Sequence, residues 1–191
     1  MEVFSDFACP YCYLAELGLV TLEPGLEVRY RSFELFPAPA PLSHPGSDPM
    51  KRQAFETMIA PRAAEYGVAV RFPEFGVRTR KAHEAAKFAR SRGLERPMRN
   101  ALFEAYFVGN RDIGRIDVLI EIAERAGLER GELQVSLGID QLTDEVVEDE
   151  MAAAAMRLRG VPAYMDEQLN PRMLVGLHDN DRLRAWLETR R

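Results

Sequence analysis

The first twenty residues narrow the fold more than any other part of the chain. Val3-Phe4-Ser5 is a short strand candidate, Cys9-Pro10-Tyr11-Cys12 follows it, and Leu14, Leu17 and Leu19 then recur in a helical pattern. Pro10 suits the first turn of that helix, where a missing N–H costs no intrahelical bond. The cysteines are therefore expected at a strand-to-helix junction, with Cys9 at the helix N-terminus. They are the only two cysteines among 191 residues. A bridge between residues so close closes a tiny loop and restrains little unfolded-state entropy, so the pair is expected to react rather than to staple.

A helix N-terminus favours thiolate over thiol, which makes Cys9 the expected partner in a mixed disulfide and Cys12 the thiol that resolves it. Pro10 and Tyr11 are expected to tune geometry and leaving-group behaviour. An adventitious or regulatory thiol pair and, last, a zinc site are the weaker readings of the same spacing. Zinc needs further ligands, yet the chain has no second cysteine pair and only His44, His83 and His178 as imidazoles. No metal, flavin or nicotinamide site is evident, so no cofactor is expected.

The rest of the chain alternates between strand and helix signals. A turn is expected at Pro24-Gly25 and a second strand over Leu26, Val28, Tyr30 and Ser32 to Leu35. The proline-rich residues 37–49 leave that unit as a crossover. Helical periodicity begins at Lys51, with Phe55, Met58, Ile59, Ala63 and Tyr66 sharing a face that Pro61 kinks or divides. Further helices are expected from a Thr79 cap to Arg92, from Pro97 to Val108, from Ile116 to Ala126, over 129–137 and from Asp140 to Arg159. In the last of these, Val147, Met151, Ala154 and Leu158 form the expected buried stripe. Short strands at Ala163-Tyr164-Met165 and Met173-Leu174-Val175 precede a final helix capped by Asp179 or Asn180.

Several segments, in order, resemble the DsbA-like oxidoreductases of the thioredoxin fold, in particular the FrnE-like branch. They are S-D-F-A-C-P-Y-C-Y at 5–13, R-S-F-E-L-F-P at 31–37, R-T-R-K-A-H at 78–83, A-Y-F-V-G-N-R-D-I at 105–113 and R-G-V-P-A-Y at 159–164. The resemblance covers nearly the whole chain. It implies an α/β thioredoxin-like fold with a large inserted helical domain: 1–38 as the first part of the thioredoxin-like domain, 39–138 as the insertion, and 139–191 as the second part with the connecting helix. It also implies a cis Val161-Pro162 bond facing the cysteines, with Val161 backbone groups pairing with an extended substrate. One departure stands out. Val3 occupies the strand position where many related enzymes carry a buried acid that moves a proton to or from the resolving cysteine. Asp6 reads first as a surface or turn-stabilising residue.

The implied activity is thiol-disulfide exchange on protein or small-molecule disulfides through Cys9 and Cys12, and the same residues support oxidation or reduction. Tyr13, Arg80 and His83 are candidate substrate contacts. Phe33, Phe36, Phe103, Tyr106 and Phe107 read first as core or interdomain residues that could include parts of an apolar groove. Two rivals remain: a glutathione-assisted isomerase or transferase, whose relatives carry serine where Cys9 stands, and a redox-independent peptide-binding chaperone. Electrons would come from glutathione or a thioredoxin-like partner, and a homodimer is compatible with the family. A net charge of −5 without a concentrated basic patch argues against nucleic acid. No stretch approaches the roughly 20 apolar residues of a membrane span. With no room for a leader ahead of Cys9, the expected compartment is the cytoplasm.

Overall fold

The computed structural model describes residues 1–22, 26–42, 48–166 and 172–189. The Pro24-Gly25 turn, His44 and the middle of the 37–49 crossover lie outside the described residues. The first unit is β1 (Glu2–Ser5), α1 (Pro10–Leu22) and β2 (Arg29–Ser32). After the crossover come α2 (Pro49–Ala54), a π-helical turn (Phe55–Ile59) and α3 (Ala60–Glu65). The helical insertion continues through α4 (Arg80–Arg90), α5 (Glu95–Phe107), α6 (Ile116–Arg125), α7 (Arg130–Gly138) and α8 (Thr143–Ala155). β3 (Ala163–Asp166), β4 (Arg172–Val175) and α9 (Asn180–Glu188) complete the order.

The sheet runs β2-β1-β3-β4. β1 pairs parallel to β2, with Val3 opposite Tyr30, and antiparallel to β3, with Val3 opposite Tyr164. All four β1 residues are buried, as a central strand covered on both faces requires. Val3 packs with Ala15 and Leu19 of α1, Tyr164, and Leu183 and Leu187 of α9. Phe4 joins the larger core, which includes Phe7, both cysteines, Ala82, Ala85, Met98 and Phe103. The result is a mixed α/β thioredoxin-like core carrying a large helical insertion.

A buried ion cluster ties the insertion to the core. Arg99 of α5 donates to Glu16 of α1 at 3.1 Å and to the Ser5 hydroxyl of β1 at 2.8 Å. Its guanidinium lies 3.7 Å from the centre of the Tyr30 ring, and the Tyr30 hydroxyl donates to Glu16 at 2.5 Å. Burial first, then the Glu16 charge, pushes that hydroxyl's pKa up. Four elements thus meet on one charge pair whose donors and acceptors are matched.

The helices differ from the sequence expectation in ways that have physical causes. Pro61 divides the helix after Lys51. Pro61 offers no N–H and its ring crowds the carbonyl of Thr57, and just ahead of it the chain widens into a π turn, in which the Ala60 N–H bonds Phe55 O. Phe55, Ile59 and Ala63 are buried as expected, whereas Met58 is 55% exposed. Thr79 precedes α4 but makes no side-chain cap. The buried stripe of α8 is Val146, Asp149 and Ala153, one residue away from the expected Val147-Met151-Ala154 line; Met151 is 67% exposed. Asp149 faces inward because it accepts from Lys87 at 2.5 Å and from the Ser32 N–H at 2.8 Å, and it pairs with Arg31 at 3.0 Å. α8 also ends at Ala155, four residues before the expected end, and Arg157 takes a φ of +54° in the following turn.

Candidate active site

Pro10 begins α1, and the Cys9 carbonyl accepts from Cys12 N at 3.1 Å and Tyr13 N at 3.2 Å. Cys9 therefore sits at the helix entrance, its own N–H held by Asp6 O at 3.1 Å. Both cysteines are free thiols, and both are buried, Cys9 at 4% and Cys12 at 2% exposure. Their environments differ. Burial, then the hydrogen bond to Cys9 and the Cys9 charge, raises the Cys12 pKa well above the ordinary thiol value; the Asp6 backbone N–H opposes this and the Asp6 carboxylate adds to it. Burial thus favours the neutral form of Cys12.

The Cys9 thiol points at Val161 O, 3.6 Å away. The Val161-Pro162 bond is cis, in keeping with the resemblance, and Pro162 O accepts from Gly176 N at 2.7 Å at the neighbouring turn. Ala38-Pro39 is cis as well, which nothing in the sequence indicated. Pro10 and Tyr11 are half-buried and border an apolar cavity of about 280 Å3, whose other walls include Phe36, Phe55, Tyr106 and Phe107. Phe103 lies beneath, fully buried, and Phe33 packs against the core. The aromatics are thus divided between packing and a wall next to the motif.

The three candidate substrate contacts lie at different depths. Tyr13 is 2% exposed, its ring stacked on Phe103 and Phe107 at centroid distances of 5.2 and 5.8 Å, so it does not border the surface. Burial and, second, the Glu104 charge push its hydroxyl up to about 12. His83 is also 2% exposed and packs on Phe7 at 4.9 Å between centroids. Arg80 is partly accessible, but its guanidinium is engaged by Glu34 and by Glu150.

Asp6 departs from the surface reading most. It is 0% exposed: Oδ1 accepts the Ala8 N–H at 3.2 Å, Oδ2 accepts the Leu35 N–H at 2.6 Å, and His83 Nε2 lies 3.6 Å from Oδ1. The turn-stabilising half of the expectation is what the Ala8 bond shows. Close by, burial, then a hydrogen bond and charge from Glu34, raises the Glu150 carboxyl to about 7 against the pull of Arg80. Sequence reasoning had no access to this acidic neighbourhood, because Asp6, Glu34 and Glu150 lie on three segments far apart in the chain: the β1–α1 connection, the stretch after β2, and α8. Among the described residues, no three His, Cys, Asp or Glu side chains converge as a metal site.

A thiol at a helix entrance, a second buried thiol one turn on, and a cis-proline loop opposite form a dithiol-exchange geometry. The family model for DSBA-like thioredoxin domains matches residues 1–188. The chain belongs to that family. It is 32% identical over 141 residues to the uncharacterised protein YwbO of Bacillus subtilis strain 168, covering 72% of this chain and 70% of that one. Among solved structures it resembles the probable DsbA oxidoreductase SCO1869 of Streptomyces coelicolor at 26% identity and a TM-score of 0.87, over 98% of this chain and 88% of the other. The cytosolic disulfide reductase DsbM of Pseudomonas aeruginosa shares the fold at 19% identity and a TM-score of 0.74, over 99% and 97% of the two chains. As a member of the DSBA-like family, this chain carries a thiol-disulfide oxidoreductase site at Cys9 and Cys12. No helix among the described residues is long and apolar enough to cross a membrane.

Proposed function

We propose that the chain is a cytoplasmic, FrnE-like oxidoreductase that reduces or reshuffles disulfides, with Cys9 attacking and Cys12 resolving. The observation that carries this reading is the asymmetry of the pair: Cys12 is enclosed and holds its proton, while the Cys9 sulfur reaches the Val161 carbonyl on the cis-proline loop. A substrate disulfide meets Cys9 between that loop and the Pro10–Tyr11 edge. Electrons flow from the dithiol to the substrate, and the resulting Cys9–Cys12 bridge is reduced by glutathione or a thioredoxin-like partner. The P. aeruginosa reductase of the same fold is also known in a structure with GSH, which supports a thiol of that class as the electron source.

The apolar wall beside Pro10 and Tyr11 favours substrates whose disulfide is flanked by apolar groups, whether on an unfolded protein or a small molecule. Residues 39–138 act here as the inserted domain that supplies most of that wall. Tyr11, Pro10, Val161 and Pro162 shape the site, and Arg80 braces it through Glu34 and Glu150 rather than meeting substrate.

Direction is tested by equilibrating the pair in defined thiol-disulfide buffers and trapping free thiols for mass analysis. A reductase is expected to give a potential near about −270 mV, whereas a value near about −120 mV would make the protein an oxidant.

A further inference from the structure

The resolving step needs a base. When Cys12 displaces substrate from Cys9 its S–H proton must leave, and burial makes the thiol hold that proton. The strand position at Val3 offers no acid; its side chain packs against Ala15, Leu19 and Tyr164.

Residue 6 adjoins the dithiol motif: its carbonyl accepts the Cys9 N–H, and its backbone N–H and carboxylate act on the Cys12 thiol in opposite directions. Its enclosed carboxylate is held in place by two backbone N–H groups and turns Oδ1 toward His83 Nε2 at 3.6 Å, just beyond hydrogen-bond range. That ring nitrogen is buried and has no hydrogen-bond partner. Buried polar atoms are almost always satisfied, so an exception beside a reactive pair calls for a cause. His83 also borders a polar crevice of about 10 Å3 shared with Lys87, Glu95 and Arg99, the size of a single water molecule.

The nearby cations are already engaged: Arg80 with Glu34 and Glu150, Lys87 with Asp149, Arg99 with Glu16. Of the other ionisable groups facing the pair, the Tyr106 hydroxyl is committed to Phe75 O, and Glu84 is held by Lys81 and Thr143. Of these groups His83 alone keeps a buried polar atom without a hydrogen-bond partner, and that atom faces the Asp6 carboxylate.

We propose that Asp6 and His83 together are the proton acceptor of the resolving step, which rests on the reading of Cys12 as the resolving thiol. The Cys12 proton passes to this pair, and the imidazole takes it at Nε2, closing the gap to Asp6 as an ion pair. The Cys12 thiolate then attacks the Cys9 sulfur. The Cys9–Cys12 bond forms, the bond from Cys9 to substrate breaks, and the substrate leaves with the electron pair as a thiolate that solvent protonates. Two electrons have moved from the dithiol to the substrate disulfide. The imidazolium returns its proton through the polar crevice, and the reverse reaction uses the same station as a donor.

The test is a single turnover of the reduced protein with a chromogenic aromatic disulfide of the dithiobis-nitrobenzoate type, followed from about pH 5 to about pH 9. Attack by Cys9 releases one aromatic thiolate, and resolution by Cys12 releases the second. Asp6→Asn and His83→Gln are each expected to slow the second release about 100-fold near neutrality and move its pH midpoint upward, with the first release within about threefold of wild type. A purely electrostatic role for Asp6 gives the opposite sign: its charge helps Cys12 keep the proton, so Asp6→Asn would speed the second release, and that result overturns the proposal. An unchanged pH profile in His83→Gln overturns it too, and either variant decides the matter if the other does not fold. Glu150→Gln removes the carboxyl that titrates at about 7 in the same neighbourhood. Its second release is expected to keep the wild-type midpoint; a midpoint that moves with Glu150 would assign the base there instead. A wild-type protein that shows the first release without the second would bring down the resolving role of Cys12 itself, a separate failure.

Discussion

The ring of Phe7 touches two buried charge clusters built to opposite rules. On one side the Arg99 guanidinium lies 5.1 Å from the ring centre, with its donors spent on Glu16 and Ser5 and its face on Tyr30. On the other lies His83, with one nitrogen unpaired and Asp6 slightly too far away. The first cluster is complete, and a complete buried network specifies how α1, α5, β1 and β2 fit together. The second has room for one more proton. The same depth of burial therefore serves the fold in one place and exchange in the other, and the difference lies in whether the hydrogen bonds close.

Breaking the complete cluster has the largest expected effect. Arg99→Met leaves Glu16 buried without its cation and is expected to lower stability by about 3–5 kcal/mol in urea unfolding. Arg99→Met with Glu16→Leu is expected to recover much of that loss, since no buried charge is then left uncompensated. The same measurement on His83→Leu is expected to move stability by less than about 1 kcal/mol, because the Nε2 it removes has no hydrogen-bond partner to lose. A loss there as large as that of Arg99→Met would erase the contrast between the clusters.

The smallest effect is in the pH dependence. Glu150 has an ordinary carboxyl pKa of 4.5 and one of about 7 in the fold. The folded state therefore binds the extra proton between those values. This contribution to stability is present below about 4.5 and is lost as pH rises through about 7. Glu150→Gln is expected to flatten that part of the melting-temperature profile between about pH 5 and about pH 8. An unchanged slope would mean that Glu34 does not share a proton with Glu150.

The dithiol end of the molecule was legible because its signals are local. A strand, C-P-Y-C and a helix follow one another within twenty-two residues, whereas the cis Val161-Pro162 bond was expected from the resemblance alone. The order of strands and helices was legible for the same reason, from period and punctuation. Buried charge was not. Asp149 lies on the inner face of α8, and a reading that places charges outward rotated the stripe by one position. Arg99 and Glu16 are far apart in the chain, so their pairing has no local signature. His83 and Tyr13 carry polar atoms and sit near motif residues, which suggested a surface, yet Phe7 and Phe103 cover them. Asp6 was visible as a turn residue, and only the fold shows that it accepts the Leu35 N–H while lying 3.6 Å from His83 Nε2.

The division of labour between the two thiols is tested most directly by trapping. Cys12→Ser, mixed with an excess of a disulfide substrate and analysed intact by mass spectrometry under denaturing, acid-quenched conditions, is expected to accumulate one substrate half linked to Cys9. Cys9→Ser under the same conditions is expected to carry none. Adduct on Cys12 in the Cys9→Ser protein, at a rate matching that on Cys9, would contradict the assignment of Cys9 as the attacking sulfur and Cys12 as the enclosed one that resolves it.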